Sequence, residues 1–221
     1  MSTLNDFVIQ KPRPLPVIVA VDRSGSMIRD GKIDALNTAL KNFIASVKEE
    51  SSEKAEIHLA LFSFGQHTAT QDLPMTPISQ IGEVKDYEAD GMTPMGQAFK
   101  LMKEMIEDRN IISSRSYKPT ILLITDGLPN GEWEPQMEAL INEGRSAKAF
   151  RMAMAIGDDA DTDMLARFVS TPEYLVKGEN ARDIKKFFRY VTMSVTSRMK
   201  SQTPDQLQVV QYPSDDDILN F

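Results

Sequence analysis

Val17-Ile-Val-Ala-Val21 is apolar without interruption, and residues 57–64, 120–125 and 151–156 are nearly so. Short apolar runs of this kind mark strands covered on both faces, as in a parallel sheet packed between helices. Between them the spacing changes. Ile33, Leu36, Leu40, Phe43, Ile44 and Val47 recur at helical intervals, which predicts a helix over 31–50. Met95, Ala98, Phe99, Met102, Met105 and Ile106 give a second helix its buried face, with Pro94 in its first turn and Thr93 as its cap. Further helices are expected near 133–147 and 161–170. A last one spans 181–200, with Ile184, Phe187, Phe188, Val191 and Val195 inward. Gly65-Gln66 predicts a hairpin turn whose second strand, from His67 to Leu73, lies at a sheet edge; Tyr174 to Val176 is a candidate final edge strand. Residues 74–93 read as a long loop. Alternating strands and helices imply an α/β fold of three layers, a doubly wound and mostly parallel sheet with one antiparallel edge strand.

Pro12, Pro14 and Pro16 make a stiff extended lead-in beside the first strand. The expected organisation is a lead-in over 1–13, one domain over 14–200 and an acidic, flexible tail over 201–221. With 221 residues, 41% hydrophobic and 26% charged, the chain suffices for one well-packed domain. It has no Cys, which excludes disulfides, thiol nucleophiles and zinc–thiolate sites, and only two His. Residues 1–11 lack the apolar core of a signal peptide, and no run approaches the roughly 20 apolar residues of a membrane span. A cytoplasmic protein without membrane contact is expected. The net charge of −7 argues against a nucleic-acid partner and for a protein partner.

The candidate chemistry sits where the first apolar run ends, at Asp22-Arg-Ser24-Gly-Ser26-Met27. A strand turning sharply toward a helix exposes its last polar side chains together, and Gly25 permits the turn. Asp22, Ser24 and Ser26 are hard oxygen ligands of the type that Mg²⁺ and Mn²⁺ take. One acid and two hydroxyls do not fill such a shell. Thr93 in Asp90-Gly-Met-Thr-Pro-Met and Asp126 at the end of Ile121-Leu-Leu-Ile-Thr-Asp occupy similar junctions and complete the set.

Each residue also has a plainer role. Asp22 and Ser24 are able to cap the following helix, and Asp126 to stabilise a turn. Arg23 suits a phosphate or a partner's acid, but the simpler reading leaves it in solvent, offsetting the site's negative charge. His58 reads as a structural side chain in a strand and His67 as exposed near a turn. Trp133 either lines the rim of the site or anchors its own helix. Asp159, Asp161 and Asp163 imitate the start of a calcium-binding loop, yet Met164 and Ser170 stand where that loop needs Gly and Glu, so the acids read as a helix N-terminal cluster. The 13 Met residues are core filler. Asp215 to Asp217, followed by Ile218, Leu219 and Phe221, are a solubilising end or a short docking peptide, able to offer a carboxylate to the metal of its own or a neighbouring molecule.

Asp-x-Ser-x-Ser, then a Thr, then an Asp after an apolar strand resembles the metal-ion-dependent adhesion site (MIDAS) of von Willebrand factor A (VWA) domains over residues 14–200. Thr125-Asp-Gly and Ala155-Ile-Gly-Asp-Asp-Ala are also similar to that family. The resemblance implies a Rossmann-like VWA fold and a non-enzymatic binding module, in which an Asp or Glu of a protein partner completes the shell of a Mg²⁺ or Mn²⁺ ion. The Asp-Arg-Ser-Gly-Ser-Met loop is most similar to stand-alone bacterial TerY-like proteins of tellurite-resistance and stress or defence systems. That implies a protein kinase or a PP2C-like phosphatase as partner. Two other readings compete. A Mg²⁺-dependent phosphohydrolase or phosphotransferase would use a strand-end Asp, but Ser24 stands where aspartate-nucleophile phosphatases carry a second Asp, and there is no Gly-rich phosphate loop with a Lys. An inert scaffold with a vestigial site would bind partners regardless of these residues.

Overall fold

The computed structural model describes residues 11–50, 52–206 and 210–213. Six strands form one sheet: β1 (Arg13–Asp22), β2 (Ala55–Gly65), β3 (Thr68–Pro77), β4 (Thr120–Thr125), β5 (Phe150–Ile156) and β6 (Leu175–Gly178). Their order is β3-β2-β1-β4-β5-β6, with β3 antiparallel to β2 and every other pair parallel. The expected α/β architecture with one antiparallel edge strand is therefore present. Helices α1 (Lys32–Lys48) and α5 (Ala181–Lys200) pack together, and α2 (Met95–Glu107) packs with α3 (Glu134–Asn142). The short α4 (Thr162–Phe168) joins the second group, where Phe168 stacks on Phe99 with ring centroids 5.8 Å apart. With helices on both faces, both sides of β1 are buried from Leu15 to Asp22. That accounts for its unbroken apolar run.

Pro14 and Pro16 are part of β1 rather than of a lead-in beside it, and the bonding pattern explains how. Arg13 donates its N–H to Lys54 O (2.9 Å), so odd-numbered residues face β2; Pro14 faces the other way, and its carbonyl accepts from Tyr117 N (2.9 Å). On that side β4 begins to pair only at Val17, opposite Thr120. The missing proline N–H groups thus fall where no strand needs them.

Several helix boundaries differ from expectation. A 3₁₀ turn, Gly25–Gly31, precedes α1. The helix expected over 133–147 stops at Asn142, because Gly144 turns with φ +64° and Glu107 Oε1 takes the N–H groups of Arg145 (2.7 Å) and Ser146 (3.0 Å). Thr93 does not cap α2; Pro94 holds the cap position, and no side-chain cap bond forms. Capping boxes and Asx caps do occur elsewhere. Asn180 and Asp183 form a capping box on α5, and Asp161 Oδ1 accepts from Met164 N (2.9 Å) on α4.

The described part of 201–213 is packed on the domain. Arg198, buried, donates Nε to Pro204 O (2.9 Å) and Nη2 to Lys118 O (2.9 Å), bonds Thr120 Oγ1, and lies 4.4 Å over the Phe150 ring. Lys118 N donates to Asp205 Oδ1 at 2.7 Å. Residues 1–10 of the lead-in and the acidic stretch 214–221 lie outside the described residues. No helix among the described residues is long and apolar enough to cross a membrane.

Candidate metal centre

Because β1 and β4 are parallel neighbours, their carboxyl ends lie side by side. To the left of β1 the chain continues in one direction of the sheet and to the right of β4 in the other, so the crevice between them is the topological switch point. Asp22 is the last residue of β1 and Asp126 follows β4 directly. Asp22 Oδ1 accepts from Ser24 N (2.8 Å), which bends the loop back over the strand end. Ser24 Oγ lies 3.0 Å from Ser26 Oγ, and Ser26 Oγ donates to Asp126 Oδ1 at 2.6 Å. Four of the five expected ligands thus form one connected cluster.

Thr93 arrives from the far end of the segment between β3 and α2. That segment has almost no regular structure, but it is pinned. Asn37 on α1 donates Nδ2 to Tyr87 O (2.9 Å) and accepts from Tyr87 N (2.8 Å). Asp90 N bonds Arg23 O (2.8 Å), Gly25 N bonds Gly91 O (3.0 Å), and Met92 N bonds Gln66 O (2.9 Å). Gly91 is required here: its φ is +70°, and a Cβ would lie 2.4 Å from Gln66 Cα. Asn130 then fixes Thr93 from the β4 side, accepting from Thr93 N (2.7 Å) and donating its own N–H to Thr93 O (2.8 Å). A Cβ on Gly127 would stand 3.6 Å from Thr93 Oγ1 and 3.8 Å from Ser26 Oγ, so Gly127 leaves open a cradle to which the Thr93 and Ser26 hydroxyls both belong. The structure brings all five expected residues to one place.

Three hydroxyls and two carboxylates are hard donors, and their chemistry fits a small divalent cation of the Mg²⁺ or Mn²⁺ type. Among the described residues no group of three or more His, Cys, Asp or Glu that could hold a metal occurs. Asp22 is fully buried, and burial pushes its carboxyl up to about 6, against hydrogen bonds from Thr125 and Ser24 that favour the charged form. Thr125 Oγ1 donates to Asp22 Oδ2 at 2.5 Å. Asp126, 1% exposed, is also bound on its second oxygen: Lys32 Nζ lies 2.9 Å from Oδ2.

Lys32 and Thr125 do not emerge from the ligand pattern. The one signal for Lys32 is its place at the start of α1, where a cation opposes the helix dipole and needs an acid to justify it. Also unforeseen are three exposed apolar side chains on the same three loops: Ile28 (63% exposed), Met92 (49%) and Leu128 (61%), each within two residues of an expected ligand.

Arg23 is not in free solvent. Its side chain lies across Gly65, where a Cβ would be 2.6 Å from Arg23 Cγ, and Nε donates to Ser63 Oγ at 3.2 Å. With Ser63, Asp72 and Tyr87 it lines a cavity of about 840 Å³, whose lining includes none of the five expected ligands. Burial and Asp72 raise the Tyr87 hydroxyl pKa. Trp133 anchors α3, with the Arg167 guanidinium 5.9 Å from its ring centre. His58 approaches Glu56 Oε2 at 3.4 Å, and His67 is exposed.

The fold and the cluster together define an α/β domain that gathers hydroxyls and carboxylates at the carboxyl ends of its two central strands. The model of the von Willebrand factor type A domain matches residues 17–190, and the chain belongs to that family. No curated protein matches its sequence. Among solved structures, it is similar to the pilus adhesin SpaC of Lactobacillus rhamnosus GG, with a TM-score of 0.67 at 15% identity over 86% of this chain and 31% of that one. It is also similar to proximal thread matrix protein 1 from the mussel byssus, solved with a zinc-occupied MIDAS motif, with a TM-score of 0.58 at 13% identity over 82% and 48%. The vWF domain of the pili tip protein Mfa5 from Porphyromonas gingivalis gives 0.61 at 11% identity over 86% and 97%. The chain spans less than half the length of the adhesin and matrix chains. These likenesses establish the fold.

Proposed function

We propose that this protein is a divalent-metal-dependent protein-binding module. Asp22, Ser24, Ser26, Thr93 and Asp126 would hold Mg²⁺ or Mn²⁺, and a bound ion supplies an electrophilic centre that accepts a carboxylate from outside. The observation that carries this reading is the convergence of those five residues with Ile28, Met92 and Leu128 exposed on the same three loops. Exposed apolar side chains grouped round a polar centre favour a protein partner over a small ion or metabolite. The fitting partner presents an Asp or Glu flanked by apolar side chains.

The zinc-occupied motif of the byssus protein supports divalent-metal chemistry at such a site. Within the family we place the chain with the TerY-like proteins on its Asp-Arg-Ser-Gly-Ser-Met loop, which points to a cytoplasmic stress-resistance setting and a kinase or PP2C-like phosphatase as partner. The test is capture from native cells by wild-type and Asp22→Ala/Ser24→Ala protein, each with Mg²⁺ and with EDTA. A protein retained only by wild type with Mg²⁺ supports the reading. Identical captures in all four conditions overturn it.

A further inference from the structure

Lys32 has no place in the ligand set, yet it is built into it. Its side chain is 11% exposed and its ammonium is 2.9 Å from Asp126 Oδ2. Gly157, at the end of β5, closes the other side, since a Cβ there would lie 3.6 Å from Nζ. Asp126 is thus divided: Oδ1 faces Ser26 and the cradle, and Oδ2 faces Lys32.

We propose that Lys32 is a positioning residue that organises the cation site before the ion arrives and sets a low affinity for it. The inference rests on the reading of the cluster as a metal centre. Without a cation, Asp22 and Asp126 would place two carboxylates in a buried pocket, where unpaired charge is costly. Lys32 neutralises one of them and holds Asp126 with Oδ1 toward the hydroxyls. The same ammonium works against occupancy, because an incoming divalent ion meets a fixed positive charge and shares Asp126 with it. Occupancy then depends on a partner's carboxylate to complete the site, so metal and partner bind together rather than the metal alone.

The test is Mn²⁺ binding by calorimetry, with thermal unfolding in EDTA, for wild type, Lys32→Met and Lys32→Arg. Lys32→Met is expected to unfold at lower temperature in EDTA and to bind Mn²⁺ at least about tenfold more tightly, the scale on which residues behind a ligand tune affinity. Lys32→Arg keeps the charge and should return the affinity to the wild-type value. A purely structural ion pair would lower the unfolding temperature and leave the affinity unchanged or weaker, which overturns the inference but spares the metal-centre reading. Mn²⁺ bound by Lys32→Met and not by wild type would be the strongest form of the proposed effect. Absence of binding by all three proteins overturns the inference, while the metal-centre reading is then decided by the capture with Mg²⁺ and with EDTA. If Lys32→Met does not fold in EDTA, Lys32→Gln, which keeps one donor for Oδ2 without the charge, carries the same comparison.

Discussion

Thr125 and Asp22 are joined across the seam between β4 and β1, the threonine hydroxyl donating to Asp22 Oδ2 at 2.5 Å while Gly127 N donates to the same hydroxyl at 3.3 Å. The bond fixes a buried carboxylate that has its other oxygen on Ser24 N. Thr125→Val keeps the shape and removes the donor. It is expected to cost about 1–3 kcal/mol in urea unfolding, since a buried charged acceptor loses its partner. It should also weaken Mg²⁺ or Mn²⁺ binding in titration calorimetry, because Asp22 is then free to turn and to hold its proton.

The pH dependence follows from Asp22. Burial raises its carboxyl from 3.8 to about 6. A carboxyl whose folded value is the higher one contributes stability that is fully present below the unfolded value and lost as pH rises through the folded one. Between those two values the unfolded chain has released the proton and the native one has kept it, so this group makes stability fall as pH rises. A cation binds the ionised form. Its stabilising effect should therefore be small at pH 5 and larger at pH 7.5, as read from unfolding temperatures with excess Mg²⁺ and with EDTA. Equal shifts at the two pH values would count against Asp22 as a ligand.

Gly127→Ala places a methyl at 3.6 Å from Thr93 Oγ1 and 3.8 Å from Ser26 Oγ, an ordinary contact distance. The fold should tolerate it, with stability in EDTA changed by less than about 0.5 kcal/mol. The methyl fills the cradle, so stabilisation by Mg²⁺ should disappear. Retained Mg²⁺ stabilisation would show that the ion does not use the space between those hydroxyls.

Gly91→Ala is expected to act differently. A residue with a side chain at φ +70° is strained, and the added Cβ meets Gln66 Cα at 2.4 Å. The loss should exceed about 1 kcal/mol, and both metal binding and stability should fall together, since Gly91 holds the approach to Thr93.

Truncation separates the two parts of the C-terminal segment. Removal of 214–221 spares every contact described for Arg198 and Lys118. Removal from Ser201 onward leaves the buried Arg198 without Pro204 O and Lys118 N without Asp205. A loss of about 2 kcal/mol or more is expected for the longer deletion, from groups left buried and unpaired, and a change within about 0.5 kcal/mol for the shorter. Chemical denaturation of the two truncated proteins compares them directly.

What was legible in the sequence is what neighbouring residues determine. Val17 to Val21 announces a doubly covered strand, and Asp22, Ser24 and Ser26 share one turn, so their meeting needs no knowledge of the fold. Thr93 and Asp126 are recognisable because each stands at a strand or helix junction. Lys32 and Thr125 escape because their roles depend on which strands become neighbours. Nothing local says that β4 lies beside β1 and brings Asp126 within reach of the first residue of α1. The end of α3 escapes for the same reason: Glu107, on another helix, takes the N–H groups that would have continued the turn. The contact of Arg23 escapes too, because the glycine it lies across, Gly65, is 42 positions away in sequence but adjacent in the sheet, where Asp22 pairs with Phe64.

The two edges of the sheet limit how a partner can approach. β3 carries Pro74 and Pro77, which have no N–H to offer, and β6 is only four residues long with the cation of Lys177 on it. Strands so interrupted or so short are poor templates for an added strand. Under the proposed function, a partner is thereby directed away from lateral growth of the sheet and toward an end-on approach, in which the strands point at the visitor and side chains rather than backbone do the recognising.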